Sequence, residues 1–223
     1  MLHGKPVKRS LIEGRPLLLV IDIQKGGLQP PGGKRDIPRM DGYAERMRRG
    51  CTLVEKARAC DIPLVFLQEV HRPDLVDFGR ELDGAEDIHC IDGRENTELA
   101  AEALGLRETD YVIRKRRYSG FFGTDLEILL KGLKVDTLIM IGGLTDVCVH
   151  YSFVDGHQHD YFCRVVEDCV GGSSEAAHEA SLNAMEYLQT GARRQSDEVL
   201  SAFEAYAECT QDEGSDTAMV AAS

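Results

Sequence analysis

Pro16-Leu17-Leu18-Leu19-Val20-Ile21-Asp22-Ile23 is an apolar run broken only by one acid. A strand with one wet face alternates apolar and polar residues. A continuous run means that both faces are covered, as at the centre of a parallel sheet. Further strands are expected at Pro63–Leu67, Tyr111–Ile113, Thr137–Ile141 and Phe162–Val166, with an edge strand at Gly191–Arg194. Helical patterns fall between them. Tyr43 to Cys60 places Met47, Cys51, Val54 and Ala57 on one face, and Thr97 to Leu104 reads as a short helix. Thr124 is expected to cap a helix to about Leu133, Ser173 or Ser174 one to about Gln189, and Ser196 a last one. Strands alternating with helices predict an α/β fold, three layers deep (α/β/α), around a mainly parallel six-stranded sheet.

The chain of 223 residues is 43% hydrophobic, enough for one buried core, and nothing in its composition divides it. A single domain over 1–223 is expected, with 1–14 and 211–223 as flexible ends. Its longest apolar run is too short to span a bilayer, and a net charge of -12 argues against a nucleic-acid partner. Seven cysteines, an odd number with no CxxC spacing and no secretion signal, suit free thiols in a reducing cytoplasm. Gln24 to Pro38 reads as a Gly/Pro-rich loop. Val70 to Arg94 is long, charged and irregular, as expected of a segment covering a pocket or a subunit contact.

In a sheet of this kind ligands bind at the carboxyl ends of the strands, and three reactive side chains fall there. Asp22 closes the first run. Lys115 follows the strand at Ile113, among Arg114, Arg116 and Arg117. The third is in Ile139-Met140-Ile141-Gly142-Gly143-Leu144-Thr145-Asp146-Val147-Cys148-Val149-His150, where a strand ends in two glycines and a Thr-Asp pair able to cap a helix follows. Cys148 would then sit in the first helical turn, where unpaired N–H groups and the helix dipole lower a thiol pKa. Each residue alone has a plain alternative: a loop acid capping a helix, a solvated basic face, a buried structural cysteine. Together they make a site: an acid to take the thiol proton, an ammonium to hold acid and thiolate, and a nucleophile.

Three segments carry a family resemblance: Leu19–Gln24, Lys115–Leu126 (Lys-Arg-Arg-Tyr-Ser-Gly-Phe-Phe-Gly-Thr-Asp-Leu) and Gly142–Val149 (Gly-Gly-Leu-Thr-Asp-Val-Cys-Val). In this order they resemble the signature of the isochorismatase-like cysteine hydrolases, in their amidohydrolase branch, over about Arg15 to Arg194. The resemblance implies that family's Rossmann-like fold and an Asp22, Lys115 and Cys148 triad. It also implies a cis peptide bond between Gly143 and Leu144, and an oxyanion hole made by the Leu144 and Cys148 amides. The implied reaction is cleavage of a C–N bond in a small linear amide, carbamoyl or ureido compound, biuret-like, through a thioester or thiocarbamate on Cys148. A nicotinamidase- or maleamate-type amidase is the alternative, and a catalytically silent binding or assembly relative is the alternative from another class.

By motif, Gln24, Tyr118, Phe121 and Phe122 are the candidate substrate contacts; for the two Phe residues core packing is an equal reading. Nicotinamidases of this family hold zinc with an Asp-x-His pair and a further His. Here Glu69-Val70-His71 and His89 stand in that place, with Glu for Asp and the set incomplete, so neither a metal nor another cofactor is expected. His157 and His159 read as surface residues. A homo-oligomer acting on a small molecule is expected.

Overall fold

Six strands form one sheet in the order β3-β2-β1-β4-β5-β6, and every neighbouring pair is parallel. The strands are β1 (Pro16–Ile21), β2 (Leu64–Glu69), β3 (Tyr111–Lys115), β4 (Thr137–Gly143), β5 (Phe162–Gly171) and β6 (Arg193–Arg194). The structure is a computed structural model that describes residues 9–29, 37–84 and 86–220 (212–220 by backbone alone). All six residues of β1 are buried. Leu18 and Val20 face one layer, with α1 (Tyr43–Ala59), α2 (Ala101–Leu104) and the start of α6 (Ser196–Val220) packed through Met47, Leu53, Val54, Leu104, Val199 and Phe203. Leu17, Leu19 and Ile21 face the other, against α3 (Leu126–Gly132), α4 (His150–Gln158) and α5 (Glu175–Leu188) through Leu130, Phe153, Leu182 and Met185. The three layers thus follow from a strand that is apolar on both faces.

From β1 the chain adds β2 and β3 on one side, then crosses back to place β4 on the other side of β1. The order reverses between β1 and β4, which opens a crevice at their carboxyl ends. The register Ile21↔Gly142 brings Asp22 beside the turn after β4, and Glu69↔Lys115 sets the ends of β2 and β3 side by side.

Several elements differ from the sequence expectation. β2 runs on to Glu69 and β3 to Lys115, so Lys115 is the last residue of its strand. β5 continues to Gly171, with a register shift against β4 between Met140 and Gly142. Thr97 belongs to a separate short turn, Glu95–Thr97, before the single-turn α2. Thr124 does hold the start of α3, accepting from the Leu126 N–H at 3.2 Å, and Ser174 caps α5 through the Ala177 N–H, also at 3.2 Å. Ser196 instead donates its hydroxyl to Asp168 at 2.6 Å. The α6 backbone stays helical to Val220, where an unpatterned tail was expected. The expectation for residues 1–8 and 221–223 lies outside the described residues. Among the described residues no helix is long and apolar enough to cross a membrane.

Candidate active site

Asp22 leaves β1 with φ +51°, a left-handed turn that takes the chain off the end of the sheet. Its Oδ1 accepts the Glu69 N–H at 2.8 Å, and its Oδ2 lies 2.8 Å from Lys115 Nζ. Lys115 is fully buried, and its ammonium also reaches Glu69 Oε2 at 2.7 Å and Cys148 Sγ at 3.3 Å. The thiol donates to Glu69 Oε2 at 3.2 Å. Asp22, Lys115 and Cys148, distant in sequence, therefore meet at one point. Glu69 joins them as a second carboxylate. Sequence reasoning weighed Glu69 for metal alone, yet the signal was there: it is an acid at the carboxyl end of a parallel strand, as Asp22 is.

Cys148 is carried by a five-residue π turn, Thr145–Val149, that enters α4, and the Gly143–Leu144 peptide bond is cis. The Thr-Asp pair does not cap this helix. Thr145 Oγ1 shares a hydrogen bond of 2.8 Å with His178 Nδ1 on α5, and Asp146 accepts from the Ser173 N–H at 2.8 Å and its hydroxyl at 2.5 Å. The pair instead ties the turn that carries Cys148 to the segment that follows β5. The thiol pKa also runs opposite to the expectation. Burial, with the Glu69 and Asp22 charges beside it, pushes the Cys148 thiol well above its ordinary value, and Lys115 pulls against this. Burial raises Asp22 to about 6, against the opposing pull of Lys115. Glu69 goes the other way: burial pushes it up, but Lys115, His71 and His89 outweigh that and hold it well below the usual range.

The site opens into a narrow cleft of about 80 Å³ whose walls include Gln24, Arg39, Tyr43, Glu86, Tyr118 and Leu144. Gln24 lines it, but its amide is committed: Nε2 donates to the carbonyls of Glu69 (at 2.9 Å) and Thr97, and Oε1 faces Cys90 Sγ at 3.6 Å. Tyr118 lines it too, donating to Glu86 Oε2 at 3.2 Å. The two phenylalanines stand elsewhere. Phe121 stacks on His159 (5.3 Å between centroids) and packs against Tyr161, while Phe122 is 67% exposed and borders a separate groove with Phe78 and Tyr151. Motif adjacency fails here because the backbone turns away from the cleft after Tyr118. His159 is exposed and His157 half-buried against Gln189 at 3.0 Å. The basic run staples the 70–94 loop: Arg114 pairs with Asp92 at 2.6 Å, Arg116 donates to the Val70 carbonyl, and Arg117 donates to that of Asp77.

That loop also completes a second cluster. Glu69, His71 and His89 are joined by Glu81, and each of the four offers a ligand atom within 4.8 Å of the others. The expectation of no metal rested on three residues and a missing partner. Glu81 comes from a short turn at Glu81–Asp83 that sequence spacing does not flag.

Comparison with known proteins places the chain in a family. The family profile described as the isochorismatase domain matches residues 16–197. A ureidoacrylate amidohydrolase (RutB) from Methylobacterium radiotolerans is 30% identical over 206 residues, covering 83% of this chain and 79% of that protein. A maleamate amidohydrolase from Pseudomonas putida is 32% identical over 171 residues, covering 75% and 78%. The crystal structure of a cysteine hydrolase from Pseudomonas syringae pv. phaseolicola superposes with a TM-score of 0.78 at 27% identity, over 91% of this chain and 99% of that one. With the profile spanning most of its length, this chain belongs to the isochorismatase domain family.

Proposed function

We propose that this protein is a cysteine-dependent amidohydrolase that cleaves a C–N bond of a small linear amide, carbamoyl or ureido compound. The observation that carries the reading is the ammonium of Lys115 held between Asp22 (2.8 Å) and the Cys148 sulfur (3.3 Å) at the end of the sheet. The similarity to ureidoacrylate and maleamate amidohydrolases supports the substrate class.

The residues write a balanced reaction. Asp22 takes the Cys148 proton as the sulfur attacks the carbonyl carbon, and Lys115 stabilises the forming thiolate. The Leu144 and Cys148 amides face the developing oxyanion. The C–N bond breaks, and the proton on Asp22 leaves with the ammonia or amine, giving a thioester or thiocarbamate. Water, deprotonated by Asp22, adds to that carbon; the C–S bond breaks and the thiol regains its proton. The burial that pushes the thiol up fits this sequence, because the nucleophile then forms as a carboxylate receives its proton. Glu69 stays anionic beside Lys115 and offsets its buried charge.

The test is ammonia release from a panel holding biuret, ureidoacrylate, maleamate and nicotinamide. Turnover of the linear ureido or amide members, abolished in Cys148→Ser, is the expected result. Nicotinamide alone being cleaved would replace the reading with a nicotinamidase. A catalytically silent relative would leave the whole panel intact. A homo-oligomer in a reducing compartment belongs to the same proposal, in keeping with seven unpaired cysteines, and light scattering reads its size.

A further inference from the structure

The reaction leaves one cleft residue unused: Tyr43, which opens α1 and is 6% exposed. Three glycines make room for its ring. Gly143 ends β4, Gly171 ends β5, and the two are register partners. A Cβ on Gly143 would overlap the Tyr43 hydroxyl, and one on Gly171 would come within 2.6 Å of Tyr43 Cδ2. A Cβ on Gly27 would lie 3.2 Å from Cε1. Neither Gly143 nor Gly171 has a positive φ, so backbone conformation does not call for glycine at either. What these positions lack is a side chain, and the tyrosine ring fills the space.

Arg39 holds the ring as well. Its guanidinium lies 5.5 Å from the ring centroid and donates to the Gly26 carbonyl at 2.6 Å. The hydroxyl, by contrast, has no hydrogen-bond partner among the described residues, although the side chain is buried. Buried phenols find a partner for their O–H, and here the cleft is the open side from which one can come. The position of the hydroxyl identifies that partner. It packs on Gly143, one residue before the Leu144 amide. The titratable groups that face the phenol are Arg39, Asp22, Cys148 and Cys90. Burial pushes the phenol pKa above its ordinary value, and Arg39 pulls against this. The oxygen therefore keeps its proton at neutral pH and can donate.

We propose that the Tyr43 hydroxyl donates a hydrogen bond to the substrate's carbonyl oxygen as Cys148 attacks, as a third donor beside the Leu144 and Cys148 amides. This assignment rests on the amidohydrolase reading and adds a side chain to its oxyanion-binding groups. No proton changes hands. The O–H bond stays intact, and the hydrogen bond strengthens as negative charge collects on the carbonyl oxygen. The glycine slot fixes the ring, so the donor is oriented before substrate arrives.

Tyr43→Phe keeps the ring and removes only the donor. Steady-state kinetics on the panel substrate that the unaltered full chain turns over fastest are read beside thermal unfolding. The expected result is a kcat lower by about a hundredfold with KM changed by less than about threefold, because the bond strengthens in the transition state. The unfolding midpoint should stay within about 2 °C, since the slot remains filled. An unchanged kcat, or a rise in KM alone, would overturn the assignment. Difluorotyrosine in place of Tyr43 keeps ring and hydroxyl but makes the hydroxyl more acidic. Its kcat should fall as pH rises through the new hydroxyl pKa, an alkaline limb that the unaltered chain lacks. A profile parallel to that of the unaltered chain would overturn the donor role, and this measurement decides should the Phe variant not fold. Cys148→Ser separates the two failures. A chain inactive in Cys148→Ser but indifferent to Tyr43→Phe loses this donor alone, whereas one that turns over no panel member loses the amidohydrolase reading and the donor with it.

Discussion

The proposed role of Cys148 depends on sulfur rather than oxygen. Cys148→Ser keeps the shape but raises the nucleophile's pKa far beyond the reach of Asp22, so kcat should fall by orders of magnitude while substrate still binds. Near-native turnover in that variant would mean direct attack by water. Asp22→Asn should be as impaired, since the proton then has no carrier. Lys115→Ala should slow turnover and move alkylation of Cys148 to higher pH, because the cation beside the sulfur is gone. Buried cysteines away from the site, such as Cys51 and Cys169, should change stability rather than kcat when replaced by Ala. The two phenylalanines give a contrast. Phe121→Ala, half-buried, should cost about 2 kcal/mol, and Phe122→Ala should stay within ~0.5 kcal/mol. Neither should shift KM, and a raised KM in either would return that residue to the substrate cleft.

Among the elements, the junction of β1 and β4 is the least forgiving. Gly142 has φ +116°, and a Cβ there would run into the Ile21 carbonyl of the neighbouring strand. Gly142→Ala is expected to lose more than about 4 kcal/mol or not to fold, as read by urea denaturation of whatever is soluble. An ordinary loss of about 1 kcal/mol would show that the close approach of β1 and β4 relaxes easily. The π turn behind it is tied by Asp146 to Ser173. Asp146→Ala should lower kcat more than stability, because it frees the turn that aims Cys148 while leaving the core intact.

For the molecule as a whole, all seven cysteines are free. Thiol titration of denatured, unreduced protein should count seven per chain, and five or fewer would mean that a disulfide forms. Stability should also carry an acid limb. Arg58 on α1 pairs with Asp110, just before β3; their side chains are 14% and 8% exposed. Arg58 holds the Asp110 carboxyl below its ordinary value; burial opposes it and the Arg107 N–H adds to it. A depressed carboxylate adds stability above its unfolded pKa of about 3.9 and loses it as pH falls through the folded value. The difference in unfolding free energy between the wild type and Asp110→Asn should therefore be flat at neutral pH and shrink below about pH 4. A difference that stays constant to pH 3 would show that the pair contributes no charge-dependent stability.

Hydrophobic pattern alone was enough to place the layers and to put three reactive side chains at strand ends. An apolar run such as Leu17–Ile21 has one stable placement, and reactive residues at the ends of parallel strands must face one crevice, so Asp22, Lys115 and Cys148 were legible before any coordinates. Their surroundings came from packing in three dimensions. Glu69 meets Lys115 through the pairing of β2 with β3 and the thiol across β1, Glu81 reaches His71 through an irregular loop, and Thr145 and Asp146 bond to α5 and its approach rather than to their own helix. Most of these contacts join segments far apart in the chain, and the one within the loop has no regular spacing, so local pattern carries no signal for them. The thiol's pKa belongs to the same class, because burial and opposing charges, both set by packing, outweigh the local pull of a helix N-terminus.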